Sequence, residues 1–341
     1  MPLCIFCLSR TDETEVFRGH PGRFFSNCRK FQELIEGGGL MKIFITGGTG
    51  FVGTYLSNFL LNRGHRVAAT GTHPTQTRIN HENFQYVSAD TTRAGEWQQE
   101  VKEADAVVNL AGRTIFKRWT ESYKELMYDS RILTTRNLVA AIPEGAAIPF
   151  CSTSAVGYYG DREDEILTEN EPQGNDFLSK LCGEWEQEAF RAQTKGVRVI
   201  AARFGIVLGK NGGAMKKMIS AFNFFVGGAL GNGMQWFPWI HLDDLISAIM
   251  FVIENPDISG AVNFCSPNSV RNKDFAKILG EILNRPSFMP VPAFMIRLAM
   301  GEFGSALLSS QRAVPEKLLR HGFTFRYPDI EDAIRDIVGG K

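Results

Sequence analysis

The sequence predicts an α/β fold in which a doubly wound parallel sheet is followed by a smaller C-terminal lobe. A glycine-rich turn at residues 47–53 follows a short apolar run and precedes a segment with apolar residues at helical spacing. Apolar runs and helical stretches then alternate as far as Arg203, which is the pattern of a parallel sheet covered by helices on both faces. Beyond Arg203 glycine-rich segments replace this alternation, so we expect a mixed α/β substrate-binding lobe over residues 204–341, from which one strand and one helix could return to the Rossmann sheet.

The composition is that of an ordinary globular protein. The chain has 341 residues, of which 44% are hydrophobic, and its 37 basic side chains balance 37 acidic ones. This balance gives no indication of a nucleic-acid or anionic membrane partner, and no apolar run approaches the roughly 20 residues that span a bilayer. Six cysteines in a chain without a signal-like segment are typical of reduced thiols. We therefore expect a cytoplasmic monomer or homodimer that binds a small-molecule substrate.

Residues 1–40 differ in kind from the rest and show no sustained helical or strand period. They contain four residues that could be zinc ligands, namely Cys4, Cys7, His20 and Cys28. The CxxC half has a suitable spacing, but the spacing from histidine to the last cysteine fits no common zinc finger, so we expect no metal. Codons for Glu36–Gly38 can contain a bacterial ribosome-binding sequence shortly ahead of the Met41 codon. We expect Met41 to be the natural start and residues 1–40 to be a non-native or disordered extension.

The first predicted elements are a strand, a glycine turn and a helix. Met41–Thr46 has the character of a buried parallel strand, and Phe51–Asn62 carries apolar residues at helical spacing. Glycines spaced GxxGxxG allow a tight turn and a close approach of the backbone to a pyrophosphate at the helix N-terminus. Because a second strand follows at Arg66–Thr70, the turn predicts a dinucleotide-binding Rossmann domain over residues 41–203. The predicted cofactor contacts of the turn are Gly47, Thr49, Gly50, Phe51, Val52 and Gly53.

The segment after the second strand favours NADP(H) over NAD(H). NAD sites usually place an acidic residue about 20 residues after the glycines to hold the ribose 2′-hydroxyl. Residues 70–78 contain no acid, and Thr72, His73 and Arg78 could bind a 2′-phosphate that a carboxylate would repel. The alternative is that these polar residues form a solvated loop.

Further apolar runs continue the sheet pattern at Phe84–Val87, Ala106–Leu110, Ile148–Cys151 and Val197–Ala201. Ligands of such sheets bind beyond the carboxyl ends of the strands. Asp90 follows the first of these runs, and the segment Asn-Leu-Ala-Gly at 109–112 ends the second. We therefore predict that the cofactor site also includes Asp90, Leu110, Ala111 and Gly112.

Several motifs together resemble the extended short-chain dehydrogenase/reductase superfamily. They are the glycine turn, the segment 109–112, a Ser/Thr-rich strand end before residues 158–160, the segment Arg203–Gly209 and the segment Trp239–Asp244. More narrowly, the chain resembles the YfcH-like branch of the sugar-nucleotide epimerase relatives, whose C-terminal domain of unknown function is similar to residues 297–302 and the run after Arg312. The resemblance covers Met41 to about Val338.

The resemblance implies catalytic roles for particular positions. In that superfamily a Ser or Thr orients the substrate oxygen, and a Tyr exchanges a proton while hydride moves to or from the nicotinamide. A Lys four residues after the Tyr lowers the pKa of its hydroxyl. Thr153 or Ser154 matches the residue that orients the substrate oxygen. Lys180 matches the lysine, which in this superfamily also lies near the ribose and nicotinamide of the cofactor. The position four residues before Lys180, however, is Asp176 and not Tyr.

Replacement of the tyrosine by Asp176 leaves two alternatives open. Tyr has an ordinary pKa of about 10 and can be brought into range by a nearby cation, whereas Asp, at about 3.9, is a poor proton donor at neutral pH. Asp176 would tend to pair with Lys180 one helical turn away. Either Tyr158 or Tyr159 takes the place of the missing tyrosine, or the protein binds cofactor without the usual chemistry.

The C-terminal lobe carries the predicted substrate site. Long glycine-containing loops with aromatics are where such scaffolds usually bind substrate, and Trp236 or Trp239 could stack on a sugar or a base. An aromatic beside a proline is more often core. Three arginines could grip a phosphate or carboxylate through the guanidinium fork, namely Arg203, Arg271 and Arg312. Of these, Arg203 is predicted to contact the cofactor, whereas Arg271 and Arg312 are predicted to contact the substrate together with His241.

We also expect a strand at Gly260–Phe264, an amphipathic helix at Asn272–Leu283 and a buried helix at Phe294–Met300. The sequence as a whole therefore predicts an NADP(H)-dependent oxidoreductase or epimerase acting on a hydroxylated small molecule, for which a sugar nucleotide is a candidate. A nicotinamide-binding regulatory protein with little or no turnover is the alternative.

Overall fold

A computed structural model of the protein describes residues 39–210, 212–287 and 290–339. The possible zinc ligands Cys4, Cys7, His20 and Cys28, and the expected extension as far as residue 38, lie outside these ranges. Within them, no group of His, Cys, Asp and Glu side chains is arranged to hold a metal ion. None of the helices in the same ranges combines the length and the apolar character needed to cross a membrane.

Strands and helices alternate through the first part of the chain. Their bounds are β1 (Lys42–Thr46), α1 (Phe51–Leu61), β2 (Arg66–Gly71), β3 (Phe84–Ser88), α2 (Gln98–Lys102), β4 (Ala106–Asn109), α3 (Glu121–Ala141), β5 (Pro149–Ala155), β6 (Ile166–Leu167), α4 (Phe177–Phe190) and β7 (Arg198–Phe204). A 3₁₀ turn, Val156–Tyr159, follows β5, and another, Arg191–Lys195, follows α4.

Shorter elements make up the rest of the chain. They are β8 (Ile206–Leu208), α5 (Gly213–Asn223), β9 (Trp236–Phe237), β10 (Trp239–His241), α6 (Leu242–Glu254), β11 (Gly260–Phe264), β12 (Val270–Arg271), α7 (Asn272–Leu283), α8 (Ala293–Met300), α9 (Glu302–Leu308), β13 (Arg312–Ala313), α10 (Glu316–Arg320) and α11 (Ile330–Gly339). The predicted strand at Gly260–Phe264 and helix at Asn272–Leu283 are confirmed.

Seven strands form the central sheet in the order β3-β2-β1-β4-β5-β7-β11, and every neighbouring pair is parallel. This confirms the predicted doubly wound parallel sheet with a smaller C-terminal region. The strand order reverses between β1 and β4, which creates a crevice at the carboxyl ends of these two strands. The predicted cofactor segments, at residues 47–53 and 110–112, directly follow β1 and β4.

Two apolar layers hold the sheet rigid. Successive side chains of a strand point to opposite faces, so Ile43 and Ile45 belong to the core shared with α1 and α6, while Phe44 lies on the other face. There Phe44 stacks on Trp97 with ring centroids 6.0 Å apart, in a layer that includes Leu138 of α3. Because both faces are covered, the turns at the carboxyl edge are anchored on a close-packed scaffold.

The residues after Arg203 contribute to both parts of the molecule. β11 pairs with β7 at one edge of the central sheet, and α6 packs in the same core as α1. A separate core lies between the small strand pairs and α5, α7 and α11, with Phe237 stacked on Phe275 at 4.4 Å. The chain therefore returns to the Rossmann sheet after building part of the second lobe.

The Met-rich helix α8 lies on the surface, so the prediction of a buried helix at Phe294–Met300 is wrong. Ile296 is its buried residue, whereas Phe294 and Leu298 are 69% and 77% exposed. The next helix, α9, instead inserts Phe303 among the rings of Phe116 and Trp119. Apolar composition alone did not reveal which of the two adjacent helices docks on the sheet domain.

Candidate functional site

The β1–α1 turn has the backbone geometry of an anion-binding loop. Gly47 has a φ of +67°, and a Cβ on Gly53 would lie 2.3 Å from the Gly47 carbonyl oxygen, so both positions require glycine. Helix α1 follows Gly50, and no described side chain caps its first N–H groups. Free N–H groups at a helix N-terminus are suited to hold a phosphate.

A buried polar network joins this turn to the end of β4. The Thr46 hydroxyl donates to Asn109 Oδ1 over 2.6 Å and accepts from the Ala111 N–H over 3.3 Å. The Asn109 amide donates in turn to Thr135 and Ser152, over 2.9 and 3.2 Å. The predicted cofactor segments are thereby held side by side. Sequence reasoning named none of these side chains as a positioning group, although each is a polar residue within an apolar pattern.

The loop after β2 brings Arg78 against the glycine turn. Arg78 Nη1 donates to the Thr49 carbonyl oxygen over 3.0 Å, and Thr72 and His73 are exposed on the same loop. Asp90 is exposed at the end of β3, where its carboxylate accepts from the Thr92 hydroxyl over 2.7 Å. This hydrogen bond lowers the pKa of Asp90 below its ordinary value. Phe51 and Val52 are half-buried at the start of α1.

Ser154 and Arg203 belong to a buried ion-pair network. Arg203 Nε and Nη2 donate to the two carboxylate oxygens of Glu186, each over 2.8 Å, and the Ser154 hydroxyl donates to the same carboxylate over 2.6 Å. Arg203 is 3% exposed and Ser154 is 1% exposed. Both groups, including the predicted cofactor contact Arg203, are therefore engaged in buried contacts within the protein.

The two adjacent tyrosines have different environments. Tyr159 is fully buried, donates to Asn263 Oδ1 over 2.7 Å and accepts from Arg203 Nη1 over 2.9 Å, and burial raises the pKa of its hydroxyl. Tyr158 is half-buried, and the Arg203 guanidinium lies 3.5 Å from its ring centroid. Of the two, Tyr158 has the hydroxyl that is not engaged by this network.

The remaining predicted catalytic residues are Thr153, Lys180 and Asp176. The Thr153 hydroxyl is buried and has no partner among the described residues, and it lies on the face of β5 opposite Ser154. Asp176 is the N-cap of α4 and accepts from the N–H and the hydroxyl of Ser179, over 2.8 and 2.9 Å. Lys180 is exposed and pairs with no carboxylate of the described chain, so the expected Asp176–Lys180 pair is not formed.

Three predicted substrate residues come together in the C-terminal lobe. The guanidinium groups of Arg271 and Arg312 lie 4.0 and 4.5 Å from the ring centroid of Trp236. Asp164 accepts from the Trp236 indole over 3.0 Å and pairs with Arg271 at 2.7 Å; its hydrogen bond with Arg271 lowers the pKa of the carboxyl. This stacked group is a ready platform for an anion beside a flat ring.

The other two predicted substrate residues lie elsewhere. Trp239 is fully buried and donates to the Asn268 carbonyl oxygen, so it serves the packing of the C-terminal lobe. His241 is the N-cap of α6 and accepts from the Asp243 N–H over 3.1 Å. Its ring is buried against Tyr327, with ring centroids 4.0 Å apart, and burial lowers its pKa.

The sequence analysis did not identify Arg131, whose guanidinium lies directly against Gly112. Arg131 Nη1 donates to the Met127 carbonyl oxygen over 3.1 Å, and Nη2 donates to the Arg113 carbonyl oxygen over 3.0 Å. Its guanidinium lies 5.2 Å from the Trp185 ring, and burial lowers its pKa. The sequence does contain one indication of this residue. Arg131 follows the buried Met127 by one turn of α3 and so lies on the face of the helix that packs inward.

A phosphate-binding turn at the switch point of a seven-stranded parallel sheet defines a Rossmann-type dinucleotide-binding protein. Residues 43–264 match the NAD dependent epimerase/dehydratase family, and residues 291–337 match a domain of unknown function, DUF1731. The chain belongs to the NAD dependent epimerase/dehydratase family. The resemblance to extended short-chain dehydrogenases/reductases with this C-terminal domain is therefore confirmed.

Relatives match over most of the chain. The chloroplastic epimerase family protein SDR39U1 homolog of Arabidopsis thaliana is 38% identical over 302 residues, which cover 87% of this chain and 87% of that one. The crystal structure of human SDR39U1 (isoform 2) with NADPH is similar with a TM-score of 0.77 and 30% identity, over 88% of this chain and all of that one. A nucleoside-diphosphate sugar epimerase from Corynebacterium glutamicum is similar with a TM-score of 0.72 and 32% identity, over 92% of this chain and 62% of that one.

Proposed function

We propose that the protein is an NADP(H)-dependent oxidoreductase or epimerase that acts on a hydroxylated small molecule. The observation that carries this proposal is the glycine turn with Arg78 against it, in a loop that has no acidic residue between positions 70 and 78. A guanidinium there would favour a ribose 2′-phosphate. Family membership and the NADPH in the human SDR39U1 structure support the same cofactor. Free, buried thiols at Cys151, Cys182 and Cys265 suit a reducing compartment such as the cytoplasm.

The residues of the chain fit a nicotinamide dinucleotide. The N–H groups at the start of α1 would hold its pyrophosphate, and Arg78, Thr72 and His73 would hold the 2′-phosphate. The segment 110–112, which follows β4, would line the same crevice, and we assign Lys180 to the ribose and nicotinamide. When bound, the cofactor supplies or accepts a hydride.

The proton must then be handled by side chains of the chain itself. We assign this role to Tyr158, because Tyr159 is committed to Asn263 and Arg203. Thr153 is assigned to orient a substrate oxygen, since its buried hydroxyl has no partner among the described residues. Ser154 and Arg203 would support the site from below through Glu186.

A sugar nucleotide is the substrate class that the C-terminal platform supports. Arg271 and Arg312, both held against the Trp236 ring, would face the diphosphate of such a substrate. The likeness to the nucleoside-diphosphate sugar epimerase of C. glutamicum supports this assignment.

Isotope tracing tests the chemistry. Protein is incubated with a cytoplasmic metabolite extract and NADPH deuterated at the transferable position, and mass spectra are compared with and without protein. If the protein is a reductase, a metabolite gains deuterium with the wild-type protein and not with Lys180→Ala. For the cofactor, Arg78→Ala is expected to weaken NADPH binding about tenfold, which corresponds to about 1.4 kcal/mol of binding free energy. The same variant is expected to leave NADH binding unchanged.

A second function is favoured by the N-cap role of Asp176. The position at which the superfamily carries tyrosine serves the start of α4 here, which suits a protein that binds the cofactor as a signal and turns over little or nothing. A sample that binds NADPH but yields no labelled product from any extract would leave internal epimerisation or this regulatory role. The two differ further, because epimerisation would interconvert an added sugar nucleotide without net oxidation.

A further inference from the structure

We propose that Arg131 binds an acidic group of the substrate in addition to the diphosphate assigned to Arg271 and Arg312. This inference rests on the proposed NADP(H) function and narrows its substrate class. It assigns a binding contact to the Rossmann domain itself, on α3, separate from the Trp236 platform in the C-terminal lobe.

The guanidinium of Arg131 is half-buried and has no compensating carboxylate in the part of the chain that the structure describes. Its two hydrogen bonds go to carbonyl oxygens, of Met127 and Arg113, and no Asp or Glu of the described residues forms an ion pair with it. Charged groups that leave water are normally paired, because the cost of desolvation is otherwise uncompensated. An unpaired cation in a ligand crevice is therefore suited to a partner that the ligand brings.

The guanidinium of Arg131 lies beside the crevice at the switch point of the sheet. A Cβ on Gly112 would lie 3.1 Å from the Arg131 Cζ and 3.2 Å from Nη2, so the guanidinium lies directly against a residue that has no side chain. Gly112 is exposed and ends the segment that follows β4, at the switch point of the sheet. The Trp185 ring packs on the guanidinium 5.2 Å away and limits its movement.

The surroundings of Arg131 are positively charged although the whole chain is neutral. The segment 113–118, next to Gly112, contains Arg113, Lys117 and Arg118 and no acid. Helix α5 contributes Lys216 and Lys217, and the Lys217 ammonium lies 5.9 Å from the Phe116 ring centroid, so the two segments are neighbours. None of these five cations forms an ion pair with a described residue. Such a rim would attract an anion toward Arg131.

The test is a set of binding titrations with small probes. Oxamate provides a carboxylate, oxamide is its neutral counterpart, and inorganic phosphate tests the other common acidic group. Each is titrated calorimetrically into the full chain at constant ionic strength, with and without saturating NADPH. The variants are Arg131→Met, Arg131→Lys and, as a matched control, Arg136→Met. Arg136 is an exposed arginine of the same helix that pairs with Glu188 at 3.3 Å.

We expect the wild-type protein to bind oxamate or phosphate at least tenfold more tightly than oxamide. The better of the two anions identifies the substrate group. Arg131→Met should remove this preference, Arg131→Lys should keep part of it, and Arg136→Met should keep all of it. A wild-type protein without anion preference, or an Arg131→Met protein that retains it, would overturn the proposal.

NADPH binding in the same samples separates this inference from the proposed function. A wild-type protein that binds NADPH but shows no anion preference contradicts only the role of Arg131, whereas a wild-type protein that shows anion preference but binds no NADPH contradicts only the cofactor proposal. If Arg131→Met does not fold, Gly112→Ala serves instead, because its Cβ would cover the guanidinium while the charge remains. An unchanged anion affinity in that variant would also contradict the proposal.

Discussion

Arg203 and Glu186 illustrate how one buried ion pair supports the residues around a candidate site. The Arg203→Met variant would leave the Glu186 carboxylate, 5% exposed, with the Ser154 hydroxyl as its remaining partner. We expect a loss of about 3–5 kcal/mol in the free energy of unfolding, measured by urea denaturation, because an unpaired buried charge is costly. Arg191→Met is the control, since Arg191 is an exposed partner of Glu188 and its loss should cost at most about 1 kcal/mol. Equal losses in the two variants would contradict the assignment.

His241 makes the stability of the protein sensitive to acid. Burial lowers its pKa below the ordinary 6.5, although Asp336 Oδ2 lies 3.5 Å from Nε2 and Asp243 and Asp244 are close. The unfolded chain therefore takes up the proton first, and stability is lost as the pH falls through about 6.5.

His241→Asn keeps a side-chain acceptor at the N-cap of α6 but removes the titrating group. We expect the free energy of unfolding to fall less steeply between about pH 7.5 and about pH 5 in this variant than in the wild type. Chemical denaturation at a series of pH values across this interval measures the difference. Its stability at pH 7 is also expected to be lower, because contact with Tyr327 is lost. Identical slopes in the two proteins would show that His241 is not the sensitive group.

At the scale of single residues, the sequence predicted what depends on local geometry and missed what depends on distant partners. The glycine turn could be read directly, because its constraints lie within seven consecutive positions. Ser154 and Tyr159, by contrast, bond to residues 32 and 104 positions away along the chain. No pattern near either residue indicates that its hydroxyl is already engaged.

At the scale of elements, Asp176 is best understood as the start of α4. Its carboxylate accepts from the Ser179 N–H over 2.8 Å. Asp176→Ala should therefore cost about 1 kcal/mol of stability, whereas Asp176→Asn, an equally good cap, should cost little. Thermal or urea denaturation measures the difference. If Asp176 were instead a proton donor, Asp176→Asn would abolish deuterium transfer while leaving stability intact, and that outcome would reject the cap as its main role.

Strand boundaries followed the sequence pattern closely in β1, β3 and β4, whereas β5 extends four residues beyond the predicted strand. The predicted strand at Ile148–Cys151 is the first half of β5, which continues to Ala155 and so carries Thr153 and Ser154 within the strand. Because the predicted strand stopped before these residues, the sequence did not show that their hydroxyls point to opposite faces of the sheet. The opposite directions of these two side chains decide which of them is free for a substrate.

At the scale of the whole molecule, the two parts of the chain are joined on both sides of the sheet. β11 and α6 extend the Rossmann core, and α9 docks on the segment 115–119 beside the candidate site. The sequence predicted a change of architecture after Arg203 and allowed one strand and one helix to return to the sheet. It could not identify the pairing of β11 with β7, because two helices and three short strands separate these two strands along the chain. The candidate crevice is therefore bounded by both parts.

Phe303 is the residue that anchors α9 to the Rossmann domain. It is 4% exposed and contacts the rings of Phe116 and Trp119, at centroid distances of 5.9 and 5.5 Å. Phe303→Ala should lower the free energy of unfolding by about 3–5 kcal/mol, since it removes a buried ring and leaves a cavity. Phe294→Ala, on the neighbouring helix, is the control, because its ring is 69% exposed and its loss should cost less than about 0.5 kcal/mol.

Hydrogen exchange would show which helices and strands depend on Phe303 for their stability. If Phe303 joins the two parts, its replacement should increase amide exchange in α8 and α9 while β1, β4 and β5 in the centre of the sheet remain protected. The aromatic group around Phe303 also supports the segment 113–118, so anion affinity at Arg131 should weaken in the same variant. An exchange pattern that rises evenly across the chain would instead mean that the sheet and the C-terminal helices unfold as one cooperative unit.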